Sequence, residues 1–304
     1  MRDADVARAR ELRFQWPLAD WDTEALADRW LFTPLGKWVA RLLLHTTVRP
    51  NHVSFAGLVS GAIAGICYGV GSHSTIVAAG LFLLLSVVFD AADGELARAR
   101  RQTSETGKLF DNVADSVKTG SVVLGIAVGM QIAGTWGPLE PPFGLPMPVG
   151  IWGLGVLAGA SLILQVTTRN GFVSLYRLHA KGQLDTSYAR MDAVQVELAE
   201  MRARGGFWLE RAVVGFLLAF TRPAHRKPDD AAPPPDAAYA DRLLPWIRAW
   251  TFYGGATQLG ALALASLCGA PLWGLLVISV PANLVYVPLL VATRHAHRLA
   301  ARAA

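Results

Sequence analysis

FDAADGELARARRQTSETGKLFDNVADS, residues 89–116, places Asp90, Asp93, Asp111 and Asp115 between two strongly apolar runs, Ile76–Phe89 and Val113–Ala133. A carboxylate at the centre of a bilayer helix costs roughly 2.5–3.5 kcal/mol on insertion scales, so four at the ends of two membrane helices mark a functional site. Something must neutralise them. The specified positions read D-x2-D-G-x2-A-R-x8-G-x3-D-x3-D, from Asp90 through Gly94, Ala97, Arg98 and Gly107 to Asp115.

The rest of the chain fits a membrane protein. Of its 304 residues, 53% are apolar, enough for about six helices of ~20 residues each. Spans are expected at 53–71, 75–93, 109–134, 149–168, 247–268 and 271–291. Residues 72–74, 135–148 and 269–270 contain no Lys or Arg, whereas residues 1–50 contain eight and Arg98–Lys108 four. The positive-inside rule then puts both termini and the aspartate motif on the cytoplasmic side, which requires an even number of spans. The expected class is an all-α, multi-pass integral protein of the cytoplasmic (inner) membrane, with six transmembrane helices and an amino-terminal amphipathic helix in the interface. The net charge of +5 is basic residues on the cytosolic rim, near anionic lipid, and needs no nucleic-acid partner.

Residues 23–46 carry that amphipathic helix, with Trp30, Leu31, Leu35, Trp38, Val39 and Leu42 on one side and an entry or break at Pro34. The chain divides into this segment (1–48), a six-helix catalytic domain (49–292) with a cytosolic or interfacial insertion at about 169–246, and a basic tail (293–304). The charged start lacks an apolar signal-peptide core. Gly57, Gly61, Gly65 and Gly69, each four apart, form a bare stripe along the first span for close helix packing. Within the insertion, 185–204 has helical spacing, 207–220 is apolar but too short to span, and 222–242 reads as a proline-rich flexible linker whose Asp229 and Asp230 are solvated. Cys67 and Cys268 lack metal-ligand spacing and are expected to pack.

Asp90 and Asp93 are three apart and Asp111 and Asp115 four apart, so on helices each pair shares a face. Two helix ends carrying such pairs converge on an all-oxygen site suited to Mg2+ or Mn2+. Two ions ~3.5–4 Å apart would clamp a pyrophosphate for in-line displacement at phosphorus. Gly94 and Ala97 remove bulk beside a nucleotide, and Arg98 offers a forked cationic donor to phosphate. Glu95 and Glu105 fall outside the pattern and read as solvated. No acceptor-binding residue is assigned. Lys118, one turn below Asp115, reaches a phosphate or snorkels to the interface. Arg169 and Arg177, with His179 and Lys181, are candidates for an anionic acceptor, although a positive-inside flank is the favoured reading of that group.

All eight motif positions resemble the signature of the CDP-alcohol phosphatidyltransferase family, and the six-span layout is similar to that family too. The resemblance implies an enzyme dependent on two Mg2+ or Mn2+ ions that transfers a phosphoryl-linked group from a CDP-activated donor to an alcohol hydroxyl, releasing CMP. It implies that Asp90, Asp93 and Asp111 hold metal and donor diphosphate. Asp115 is the general base, in some members also a metal ligand, and Gly94, Ala97, Arg98 and Gly107 shape the CDP pocket. PNHVSF (50–55) resembles the stretch that family members carry near the nucleotide, which adds Asn51 and Ser54 to the CDP-binding set; Asn51 serves equally as a helix cap. A homodimer is also implied.

Two branches stay open. In one the donor is CDP-diacylglycerol and the acceptor a small polar alcohol. In the other the CDP carries an aminoalcohol and a lipid alcohol accepts, and GKLFDNVADS (107–116) looks somewhat like that branch. From other classes, a cation transporter with an acidic site would place its carboxylates near the membrane midplane, and a scaffold dimerising through the glycine stripe leaves the aspartates without a purpose.

Overall fold

The computed structural model describes residues 22–100, 105–133, 147–183, 191–204 and 234–303. The described residues contain helices and no strand. A π-helical turn, Asp28–Phe32, leads into α1 (Thr33–Leu43); α2 (Pro50–Val70), α3 (His73–Arg100), α4 (Glu105–Ala133) and α5 (Met147–Lys181) follow. Then come α6 (Met191–Arg204), α7 (Ala237–Trp250), a 3-10 turn (Thr251–Tyr253), α8 (Gly255–Leu267), α9 (Pro271–Ser279) and α10 (Pro281–Ala303).

Five stretches are long and apolar enough to cross a membrane: Pro50–Val70, His73–Arg100, Val113–Ala133, Val149–Lys181 and Pro271–Ala300. The chain is therefore an integral membrane protein. The sixth expected span, 247–268, is not one continuous helix among the described residues. It is divided at Thr251–Gly254, where Gly254 takes an extended conformation and lies against Ala25, so the amino-terminal segment crosses there. Glycine pairs weaken a helix by roughly 1 kcal/mol per residue, and Gly254–Gly255 falls at this crossing. The last stretch bends at Val280, because Pro281 cannot donate to the preceding turn.

The glycine stripe of α2 packs as expected over three of its four members. A Cβ on Gly61 would lie 2.6 Å from Cγ of Lys118, and one on Gly65 2.6 Å from the Ser121 carbonyl oxygen, whereas Gly69 faces open space. Glycines on α4 answer the stripe: Gly125 lies against the Gly65 carbonyl and Gly129 against that of Tyr68. The α2 and α4 backbones thus touch, which dispersion and weak polar contacts favour in a membrane where burial alone gives little. Ser86 of α3 donates to the Gly57 carbonyl at 2.7 Å, and Tyr68 shares a 2.6 Å hydrogen bond with Ser266 of α8. Ala64, Tyr68, Leu83, Val122, Ile126 and Leu262 fill the core among these helices. A second core joins α5, α7 and α10 through Phe172, Tyr176, Leu243, Trp250 and Tyr286.

Two further expectations change. The linker 222–242 is helical from Ala237, because Asp236 caps α7 by accepting from the Tyr239 N–H at 3.1 Å; residues 222–233 and the short apolar segment 207–220 lie outside the described residues. Of 185–204, the described part is helix α6. Cys67 packs against the first core, whereas Cys268, at the carboxy-terminal cap of α8, is exposed. In the segment 23–46, Trp30, Leu31, Leu35, Trp38 and Leu42 are exposed, while Gly36 sits so close to α3 that an added Cβ would be 2.7 Å from Ala91. Arg100 holds α1 to α3 by donating to the carbonyls of Leu43 at 2.6 Å, Thr46 at 2.9 Å and Val48.

Candidate active site

The first motif half lies inside a helix. α3 does not stop at the second aspartate; it runs on to Arg100, since ELARAR supplies strong helix formers after Gly94. Asp90 and Asp93 therefore project from the last turns of a continuous helix, and Asp111 and Asp115 from the second and third turns of α4. Asp90, Asp93 and Asp111 each bring a carboxylate oxygen within 4.8 Å of the other two. Asp93 is buried, and its Oδ2 and Oδ1 of Asp111 are buried without a partner. Three converging carboxylates with unsatisfied buried oxygens fit a hard divalent cation, because burying such charge unpaired is costly.

Asp115 is not in this trio. Lys118, 4% exposed, places its Nζ 2.5 Å from Oδ1 of Asp115 and 2.6 Å from Oδ1 of Asp90. It is an internal counter-charge between two motif aspartates. Gly61 makes room for its stem.

The trio opens on a cavity of about 340 Å³ lined by Asp90, Asp93, Gly94, Arg98 and Asp111 of α3 and α4, by Thr23, Glu24 and Asp28 of the amino-terminal segment, and by Arg169 and Arg177 of α5. Ala97, Gly107, Asn51, Ser54, Asp115 and Lys118 are not among its lining residues. Arg98 folds back over Gly94, with guanidinium nitrogens 3.4 and 3.5 Å from where a Cβ would stand, and pairs with Glu95 at 3.1 Å. Glu95 is buried and lines the cavity, contrary to its solvated reading, because the continuation of α3 turns it inward. Glu105 opens α4, its N–H donating to Glu197 at 3.0 Å. Asn51 is not the cap of α2: Arg49 occupies that position, with Pro50 in the first turn.

Arg169 and Arg177 reach the cavity because α5 continues past 168 without a break. Arg169 donates to the Thr23 carbonyl at 2.5 Å and to Asn170 at 3.0 Å, leaving Nε buried without a partner, and Arg177 donates to the Thr23 hydroxyl at 2.9 Å. His179 and Lys181 line no part of this cavity. The wall formed by Thr23, Glu24 and Asp28 has no signature in sequence spacing. Its one local signal is the acidic pair Glu24 and Asp28, four apart ahead of an apolar helix. Burial pushes the Asp28 carboxyl up to about 6, with Arg169 opposing and Glu24 and Asp90 reinforcing the shift.

Two curated proteins are similar to part of this chain. One is the bifunctional IPC transferase and DIPP synthase of Rubrobacter xylanophilus, 34% identical over 87 residues, 29% of this chain and 19% of that protein. The other is the archaetidylinositol phosphate synthase of Pyrococcus horikoshii, 30% identical over 95 residues, 31% of this chain and 47% of that protein. The chain thus spans less than half the length of either relative. Residues 47–189, which supply both aspartate pairs, Lys118 and the two cavity arginines, match the family described as CDP-alcohol phosphatidyltransferase.

Proposed function

We propose that the chain is a membrane transferase that moves a phosphatidyl group from a CDP-activated lipid to a phosphorylated polyol of the inositol phosphate class, releasing CMP. The observation that carries this reading is the shared cavity, lined both by a divalent-cation trio and by Arg169 and Arg177. The second relative's name, an inositol phosphate lipid synthase, supports the same acceptor class. The motif's location at the basic rim supports a site on the cytoplasmic side of the inner membrane, and the exposed apolar face of α1 supports its lying in the interface.

Asp90, Asp93 and Asp111 would hold Mg2+ or Mn2+, whose charge would offset that of the donor diphosphate. Arg98, over Gly94, donates to the donor phosphates. Arg169 and Arg177 hold the acceptor phosphate by forked, charge-assisted hydrogen bonds. Asp115, half exposed and held through one oxygen by Lys118, takes the proton of the acceptor hydroxyl. The hydroxyl oxygen forms the new bond to phosphorus as the bond to CMP breaks.

The test is CMP release by the purified protein with CDP-diacylglycerol and inositol phosphate in Mg2+ or Mn2+. Release is expected, lost in chelator and in Asp115→Asn, with Asp115→Asn retaining CDP affinity and Asp111→Ala losing it. Full activity in chelator would overturn the metal assignment. Release only with CDP-aminoalcohols would move the chain to the other branch.

A further inference from the structure

We infer that Glu24 and Asp28, from the segment preceding α1, read the hydroxyl groups of the acceptor and so determine which phosphorylated alcohol is used. This rests on the reading of the cavity as a transferase site and adds a second set of acceptor contacts to the arginine pair.

The segment is fastened where the cavity needs a wall. Thr23 is fully buried under Arg169 and Arg177. Asp22 accepts from Arg248 at 2.9 and 3.1 Å, the Ala27 N–H donates to Thr257 at 3.2 Å, and Phe32 packs against Gly260. Anchors from α5, α7 and α8 thus hold residues 22–32 across the mouth. The π-helical turn at Asp28–Phe32 fits this role, since such turns recur at functional sites by re-aiming side chains.

The carboxylates so placed are under-used by the protein. Glu24 accepts from the Thr33 hydroxyl through Oε1 at 2.9 Å, and its Oε2 is buried without a partner. Asp28 forms no hydrogen bond or ion pair through its carboxylate among the described residues, although it lies close enough to feel the charge of Arg169. Neither serves as a salt-bridge partner for the cavity arginines. Two carboxylates beside two arginines would repel a bare phosphate relative to arginines alone. They suit a ligand with an anionic end and several hydroxyl donors, the composition of a polyol phosphate. A site built to accept hydrogen bonds from hydroxyls discriminates strongly against analogues that lack them, because its own polar atoms are then left unpaired.

The test measures binding of inositol phosphate, glycerol 3-phosphate and inorganic phosphate to the full chain in detergent with Mg2+, for the unaltered protein, Glu24→Gln and Asp28→Asn. Gln keeps an oxygen for Thr33. Each variant is expected to lose tenfold or more in affinity for inositol phosphate and less for glycerol 3-phosphate. Affinity for CDP should be unchanged, and affinity for inorganic phosphate unchanged or increased. Equal loss for all three ligands, unchanged inositol phosphate affinity, or loss of CDP affinity alongside would overturn the inference, the last by making the carboxylates structural. So would failure of the unaltered protein to bind any polyol phosphate. Carboxylate-dependent binding without CMP release would leave the inference standing and remove the transferase reading. Turnover of inositol phosphate by both variants at unaltered KM would do the reverse.

Discussion

Replacing Lys118 by Met removes a charge from the centre of the site while keeping most of the side chain's volume in the gap beside Gly61. The ammonium stands 2.6 Å from Asp90 and 2.5 Å from Asp115. At an effective dielectric of about 20, a unit-charge pair at this separation interacts by roughly 6 kcal/mol. Solvent reduces this, because the Asp90 side chain is 33% and that of Asp115 51% exposed. Breaking a buried pair by removing one partner costs about 3–5 kcal/mol, and an exposed pair under about 1 kcal/mol. The site lies between these limits, so Lys118→Met is expected to destabilise the protein in chelator by about 3 kcal/mol. That corresponds to a fall in melting temperature of roughly 6–12 °C. A divalent ion on Asp90, Asp93 and Asp111 supplies positive charge to the same cluster, so saturating Mg2+ should recover a large part of the loss. The assay is thermal unfolding in detergent, in chelator and in Mg2+, for both proteins. An unchanged melting temperature in chelator would refute the counter-charge role. A fall of the same size with and without Mg2+ would show instead that the ion does not compensate the charge that the lysine supplies.

Gly125→Ala is expected to destabilise by about 1–3 kcal/mol, since its methyl would press into the Gly65 carbonyl and the α2 and α4 backbones would have to separate; Gly69→Ala, in open space, is the control, and equal effects on melting would count against the contact. Asp28 holds its proton more tightly folded than unfolded, so its ionisation weakens the fold as pH rises from about 4 to about 6. Allowing for solvent in the cavity, Asp28→Asn should add about 2 kcal/mol above that window and little below it. Melting curves at pH 4 and pH 7 check this, and a gain of equal size at both pH values would contradict the assigned cause.

Among the described residues, the membrane character, the cores of four of the long apolar helices, and the convergence of Asp90, Asp93 and Asp111 were legible in the residues. Hydropathy and three- and four-residue spacing act locally and survive any arrangement of the helices. The continuation of α3 through the motif was also written locally, in ELARAR, but the charge of that stretch masked it. The break at Thr251–Gly254 was not legible, because it depends on Ala25 crossing a glycine more than two hundred residues away. Lys118 shows the same limit. Its spacing from Asp115 follows from one helix turn, but its bond to Asp90 depends on how closely α2, α3 and α4 approach. Glu24 and Asp28 are furthest from the motif, and their four-residue spacing by itself does not tell which helices they meet. Sequence by itself determined a helical membrane protein with an acidic, metal-suited motif, because those properties belong to single segments. Only the tertiary structure decided that the motif shares one cavity with two arginines and two carboxylates, because that grouping requires the amino-terminal segment to be pinned over α5 and α8 by contacts between residues remote in the chain.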